Sequence, residues 1–262
     1  MTHAITVRNL TKYFPLNRKR SHALRSGLEH AMRNLFQRHK GKPLPPISDR
    51  CALNDVSFDV TPGECVALIG HNGAGKSVLL RLLSRVTRPI SGEAYLYGSV
   101  GSVLDIGVGF NRDLNGRENV FLQGAILGIK RSDLLRKFDE ISEFAGIGDL
   151  MEQPLKSYSN GTLVRLAFAI AMQLEPDILL LDEVLAVADE EFLDICSRKL
   201  TDLKREGRTI LIASHDMALL QKVCTRALWF EHGRLVGDGP MAEIAVRYHA
   251  HLHGAAPVPF GS

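Results

Sequence analysis

Apolar and polar positions along this chain fall into three recurring patterns. Strict alternation marks two half-buried strands, a short one at residues 5–7 that stops at the turn-prone Asn9, and V-S-F-D-V at residues 56–60. Short solid apolar blocks bounded by turn residues mark strands buried on both faces: Cys65–Ile69 after Thr61-Pro62-Gly63-Glu64, residues 178–181, and Thr209–Ala213. A period near 3.6 marks helices. One follows the Gly-rich stretch 70–75, with Val78, Leu79, Leu82 and Leu83 on one face. Others are predicted over residues 117–145 with a break near Gly128, over 159–174, over Glu190–Arg205, over Met217–Val223 and near residues 241–253.

Residues 93–97 read as a further strand, and 100–115 as a Gly-rich loop with some strand. Residues 227–231 and 234–236 read as a hairpin turning at His232-Gly233. Strand and helix alternate between residues 65 and 223, which predicts an α/β sandwich around a mainly parallel sheet. The Pro- and Ala-rich tail 254–262 is expected to be disordered, leaving one domain over residues 1–253.

Composition narrows the class. The 262 residues are 45% hydrophobic and 23% charged, the mixture of a globular protein with a sizeable core. Four widely spaced cysteines without a CxxC pair argue against a zinc ribbon or a disulfide framework. No apolar run reaches the roughly 20 residues of a spanning helix, and the N-terminus lacks a secretory pattern. The chain is therefore expected to be soluble and intracellular.

Net charge is only +3, too little for a nucleic-acid-coating protein, and no nucleic-acid partner is expected. The excess is local. Residues 16–50 hold nine Lys or Arg and two acids, a net of +7, and the remaining 23 basic and 27 acidic residues give −4. Within this insert Leu24, Leu28, Ala31, Leu35 and Phe36 form one stripe of a helix predicted over residues 21–39, with Ser21 as N-cap. Arg18, Lys19, Arg20, Arg25, Arg33 and Arg38 surround it. A basic amphipathic helix suits an anionic membrane surface or an acidic groove; a solvated helix packed on its own domain is the alternative.

The candidate chemistry begins at Gly70-His71-Asn72-Gly73-Ala74-Gly75-Lys76-Ser77, which fits G-x-x-x-x-G-K-[ST] between a strand and a helix. Such a loop turns successive N–H groups, including those of Gly70, Asn72, Gly73, Ala74, Gly75 and the following Val78, toward phosphate oxygens, helped by the helix dipole. Lys76 would bridge the β- and γ-phosphates and the Ser77 hydroxyl would hold Mg²⁺. Downstream by 106 residues from Lys76, the block 178–181 ends in Asp182-Glu183. An Asp there helps hold Mg²⁺, and the adjacent Glu orients or deprotonates the attacking water. A nucleoside triphosphatase is implied.

Ser159-Asn160-Gly161-Thr162 opens a helix 23 residues before Asp182. It resembles the L-S-G-G-Q signature of ATP-binding cassette (ABC) ATPases, and the resemblance runs from Ile5 to about Val236. It implies an α/β P-loop fold with a RecA-like core, an antiparallel β subdomain and a helical subdomain, here residues 115–175. It also implies a homodimer in which each ATP lies between one P-loop and the other subunit's Ser159, Asn160 and Gly161. The hydroxyl of Ser159 and the N–H groups of Gly161 and Thr162 are expected to form that second anion-binding end. By the same resemblance Tyr13 would stack on adenine, Asp189 would cross the dimer interface, and His215 would contact the γ-phosphate.

Two departures stand out: the signature's first Gly is Asn160 and its Gln is Thr162, and residues 103–110 lack the expected Gln. Asp105 takes that place, where a carboxylate would reach Mg²⁺ directly or through water. Together with N-G-R-E-N-V at 115–120 and D-E-V-L-A-V at 182–187, these features are similar to the ATP-binding subunits of polysaccharide exporters for O-antigen, capsule or teichoic acid. That resemblance implies ATP and Mg²⁺ as ligands, a separate polytopic permease as partner, a peripheral place on the cytoplasmic membrane face, and a lipid-linked glycan approaching the 16–50 insert. A soluble cassette ATPase not coupled to transport, or an exporter for another substrate, is the alternative. A GTPase is disfavoured by the lack of an N-K-x-D motif.

Overall fold

The computed structural model describes residues 3–15, 49–103, 109–126, 129–173, 175–183 and 190–253. The amphipathic helix expected over residues 21–39, Asp105, Asp189 and the tail 254–262 lie outside the described residues. Among those described, no helix is long and apolar enough to cross a membrane.

Two sheets organise the chain. In the smaller one, β1 (Ile5–Pro15) lies between β2 (Asp49–Val60) and β4 (Ser91–Leu96), antiparallel to both. The larger runs β5-β6-β7-β3-β8-β9, formed by β3 (Cys65–Ile69), β5 (Val100–Val103), β6 (Ile178–Asp182), β7 (Thr209–Ala213), β8 (Arg226–Glu231) and β9 (Arg234–Pro240). All its pairings are parallel except β8 with β9. This is the α/β P-loop architecture expected, with an added antiparallel sheet.

β1 is longer than the alternation at residues 5–7 predicts. Asn9, read as a stop, sits in a bulge at φ 49°, where its N–H donates to Ser57 Oγ at 2.8 Å and its amide to Asp55 Oδ1 at 2.8 Å. Side-chain bonds across the bulge let the strand continue. Its last residue, Pro15, pairs with Asp49, so the insert leaves and re-enters at one end of the β1–β2 pair.

The solid apolar blocks are buried on both faces. Cys65, Ala67, Ile69, Leu179, Leu181, Ile210 and Ile212 pack beneath α4 (Asn160–Gln173), α5 (Glu190–Arg205), α6 (Met217–Val223) and α7 (Met241–Leu252). Val66, Leu68, Leu180, Leu211, Leu228 and Phe230 point the other way, against α1 (Lys76–Leu83) and the antiparallel sheet. A third cluster, around Val120, Phe138, Ile141, Leu166 and Ile170, joins α2 (Gly116–Ile126), α3 (Arg131–Ala145) and the outer face of α4. α2 ends at Ile126 and α3 begins at Arg131; Gly128, where the break is expected, lies outside the described residues.

The candidate nucleotide site

Register places the site. Leu68 of β3 is level with Ala213 of β7, and Ala213 with Asp182 of β6. Three parallel strands therefore deliver Gly70, Asp182-Glu183 and Ser214-His215 to one sheet edge, although about 145 residues separate the first from the last. Ligand sites of parallel sheets form at this carboxyl edge.

The loop conformation requires its glycines. Gly70 has φ 141°, and a Cβ there would lie 2.2 Å from Phe230 O. Gly75, the N-cap of α1, has φ 112°, and a Cβ would lie 2.5 Å from Ala52 O. The hairpin between β8 and β9 braces the loop from outside: Gly233 N donates to Ala74 O at 3.0 Å. Against it lies a cavity of about 310 Å³ lined by Phe14, Ala52, Gly73, Ala74, Gly75, Lys76, Ser77, Val78 and Glu183.

Lys76 is 4% exposed. Its ammonium donates to Gly70 O at 2.7 Å and His71 O at 3.3 Å, and lies 4.0 Å from Glu183 Oε1. Burial pulls this lysine below its ordinary pKa, against the opposing pull of Glu183 and Asp182. Asn72 contributes its carbonyl, 2.7 Å from His71 Nδ1. The Ser77 hydroxyl donates to Asp182 Oδ1 at 2.9 Å. Asp182 is 8% exposed; burial pushes its carboxyl up, the Ser77 hydrogen bond pulls it down, and Glu183 pushes it up again.

Glu183 follows in a left-handed conformation, φ 45°, pinned by its N–H to Ala213 O at 2.9 Å. A long side chain at positive φ is uncommon and costs about 1–3 kcal/mol, so surrounding structure must hold it. The twist aims the carboxylate across β7, where Oε1 lies 2.9 Å from His215 Nε2. Lys76, Ser77, Asp182, Glu183 and His215 thus form one constellation.

The aromatic assignment changes. Phe14, not Tyr13, lines the cavity. The two are neighbours on a strand and point to opposite faces, and a register shift at Lys12/Tyr13 fixes which face is which. Tyr13 faces Cys51 and Arg234, and burial and Cys51 raise its hydroxyl pKa. The signal available in the sequence was the Tyr13-Phe14 pair itself, which does not say which ring faces the loop. Ala52, which no motif singled out, is also part of the lining.

Ser159, Asn160 and Gly161 stand apart from this cavity, at the start of α4. The Ser159 hydroxyl accepts from Thr162 N at 3.1 Å and lies 2.8 Å from Thr162 Oγ1. The Thr162 N–H, expected to face an anion, bonds within the cap here. None of Ser159, Asn160 and Gly161 lines the cavity of its own chain.

Residues 53–186 match the ABC transporter family. The chain belongs to that family. This cassette is 38% identical to the O-antigen export system ATP-binding protein RfbB of Klebsiella pneumoniae over 251 residues, covering 95% of this chain and 98% of that protein. It is 41% identical to the teichoic acids export ATP-binding protein TagH of Listeria innocua over 197 residues, 75% of this chain and 58% of the other. Among solved structures, the ATP-binding subunit of an ABC transporter superposes with TM-score 0.71 at 20% identity, over 97% of the cassette and 95% of that chain. A dimeric cassette in a post-hydrolysis state with ADP and phosphate gives 0.71 at 18% identity, over 90% and 98%. The fold is that of a cassette ATPase, with the P-loop, the acidic strand end and His215 at one edge.

Proposed function

We propose that this cassette ATPase works as a homodimer on the cytoplasmic face of the plasma membrane, where it powers a separate polytopic permease that exports a lipid-linked polysaccharide of the O-antigen or teichoic acid kind. One observation carries the reading: the match to an O-antigen exporter subunit runs the length of both chains. That Ser159 does not line the cavity of its own chain agrees with a site completed by a second copy.

Arriving phosphates would displace Gly70 O and His71 O as partners of the buried Lys76 ammonium. Phe14 and Ala52 would flank the base. The Ser77 hydroxyl and the buried Asp182 carboxylate, 2.9 Å apart, offer hard oxygen donors and a desolvated negative charge, a set that fits Mg²⁺. When bound, that ion neutralises charge on the phosphate oxygens. Glu183 would accept a proton from the attacking water, and His215, its Nε2 2.9 Å from the carboxylate, would orient it.

The test is co-expression with a candidate polytopic permease from the same genome. Co-purification, and loss of surface polysaccharide when the cassette gene is deleted, are expected. An active ATPase that binds no membrane protein and whose loss leaves the polysaccharide intact would favour a cassette ATPase not coupled to transport.

The basic insert supports a narrower assignment within this function. Its net +7 and apolar stripe suit lipid headgroups or the pyrophosphate of the lipid-linked glycan. Its ends at Pro15 and Asp49 adjoin Phe14, at the rim of the nucleotide cavity. Reversing Arg18, Lys19, Arg20 and Arg25 should impair export and spare basal ATP hydrolysis; undiminished export would remove the assignment.

A further inference from the structure

Helix α7 brings His249 and His251 into its final turn, with His253 as its C-cap. With 3.6 residues per turn, positions 249 and 253 stack on one face while 251 turns roughly opposite. The two faces have different surroundings. His251 Nε2 lies 3.0 Å from Glu231 Oε1, and its ring packs edge-on to Trp229 with centroids 5.1 Å apart. That histidine ties the helix to the β8–β9 hairpin.

His249 and His253 are both exposed, with ring centroids 4.4 Å apart and planes inclined at 49°. The turn between them is closed, since His253 N donates to His249 O at 3.3 Å. The same stripe continues through exposed Val246 and Ala242, so nothing in the chain's own core requires these two imidazoles.

Two neutral imidazoles one helical turn apart make a bidentate set for borderline divalent cations such as Zn²⁺, Ni²⁺ or Cu²⁺. Metal–nitrogen bonds of about 2.0–2.1 Å would need the two nitrogens about 3 Å apart, within reach by small side-chain rotations. The position adds to this, because the last turn of a helix carries the negative end of its dipole and favours a cation. Among the described residues no three His, Cys, Asp or Glu side chains converge as a metal group. The protein therefore supplies two ligands, and water completes the shell.

We infer that His249 and His253 form a surface chelate for a divalent transition-metal cation, which fastens the last turn of α7. The site shares no residue with the nucleotide cavity and is independent of the transport reading.

The experiment uses the full chain without an affinity tag, dialysed against zinc or nickel chloride alone, with bound metal measured by emission spectrometry. Retention of about one equivalent per chain is expected, with an upward shift of the thermal midpoint that chelator reverses. H249A and H253A should each weaken retention by about tenfold or more and abolish the shift, while H251A keeps both. All three positions are exposed and alanine favours helix, so these variants are expected to fold. No retention by the wild-type chain, equal retention by the H249A/H253A double variant, or loss in H251A matching that in H249A would each overturn the site.

Discussion

His215 Nε2 and Glu183 Oε1 lie 2.9 Å apart, and the same carboxylate oxygen is 4.0 Å from the Lys76 ammonium. Glu183 follows β6, His215 follows β7 and Lys76 opens α1 after β3, and the left-handed backbone of Glu183 turns its side chain into the arrangement. On the proposed mechanism the carboxylate is shared between a group that orients it and a group that turns to phosphate, and its freedom to take a proton depends on Lys76 turning to the nucleotide.

Replacing Glu183 by Gln should therefore keep nucleotide binding and remove turnover. An amide occupies the same space but is a poor proton acceptor, so phosphate release at saturating ATP should fall about 10²–10⁴-fold. His215→Ala should lower turnover less, because the carboxylate remains and loses only its orientation. Turnover of Glu183→Gln close to wild type would show that another group takes the proton.

The two neighbouring aromatics of β1 give a sharper discrimination. Phe14→Ala should weaken ATP binding by about threefold to tenfold, the range of a lost aromatic contact, whereas Tyr13→Ala should leave affinity near wild type. Titration with a fluorescent ATP analogue, competed by ATP, separates them. The reverse ranking would return the adenine contact to Tyr13.

Gly75→Ala should damage fold and site together. Its Cβ would meet Ala52 O at 2.5 Å and Leu53 Cδ2 at 2.8 Å from a backbone at φ 112°. The strain is about 1–3 kcal/mol, lowering the thermal midpoint by several degrees, at about 2–4 °C per kcal/mol for a chain this size. Because this residue caps the start of α1, ATP binding should be lost even at temperatures where the variant stays folded. A variant that melts normally and binds ATP would show that the loop yields easily.

Much of this was readable locally. Cys65–Ile69 and Thr209–Ala213 are buried on both faces, so each shows as an unbroken apolar block. The P-loop is a contiguous motif whose glycines are demanded by backbone angles. What was not readable is long-range. No periodicity states that Ser77 will donate to Asp182, because that bond follows from β3 and β6 both flanking β7. Asn9 looked like a strand end because the side-chain partners that support its bulge, Ser57 and Asp55, lie on another strand. Tyr13 and Phe14 differ by one register step, which depends on a shift in pairing with β2.

The opposite edge of the sheet carries an acid-sensitive fastening at Asp177. Its carboxylate accepts from Ser99 N and Ser99 Oγ, each at 2.8 Å, and pairs with Arg208 at 3.1 Å, joining the starts of β5, β6 and β7. The Ser99 hydrogen bonds, backbone first and hydroxyl second, outweigh partial burial and with Arg208 hold its pKa below the usual carboxylate value. A group depressed in the folded state stabilises fully above its unfolded pKa, about 3.9, and loses that contribution as pH falls through the lower folded value. Asp177→Asn should therefore be less stable than wild type near neutrality, and the two thermal midpoints should converge as pH falls below the unfolded value of about 3.9. Half-exposure of the Asp177 side chain means that added salt should narrow the neutral-pH gap. Midpoints that stay separated by a constant interval down to the acid limit would assign the difference to packing at Ser99 and not to the carboxylate charge.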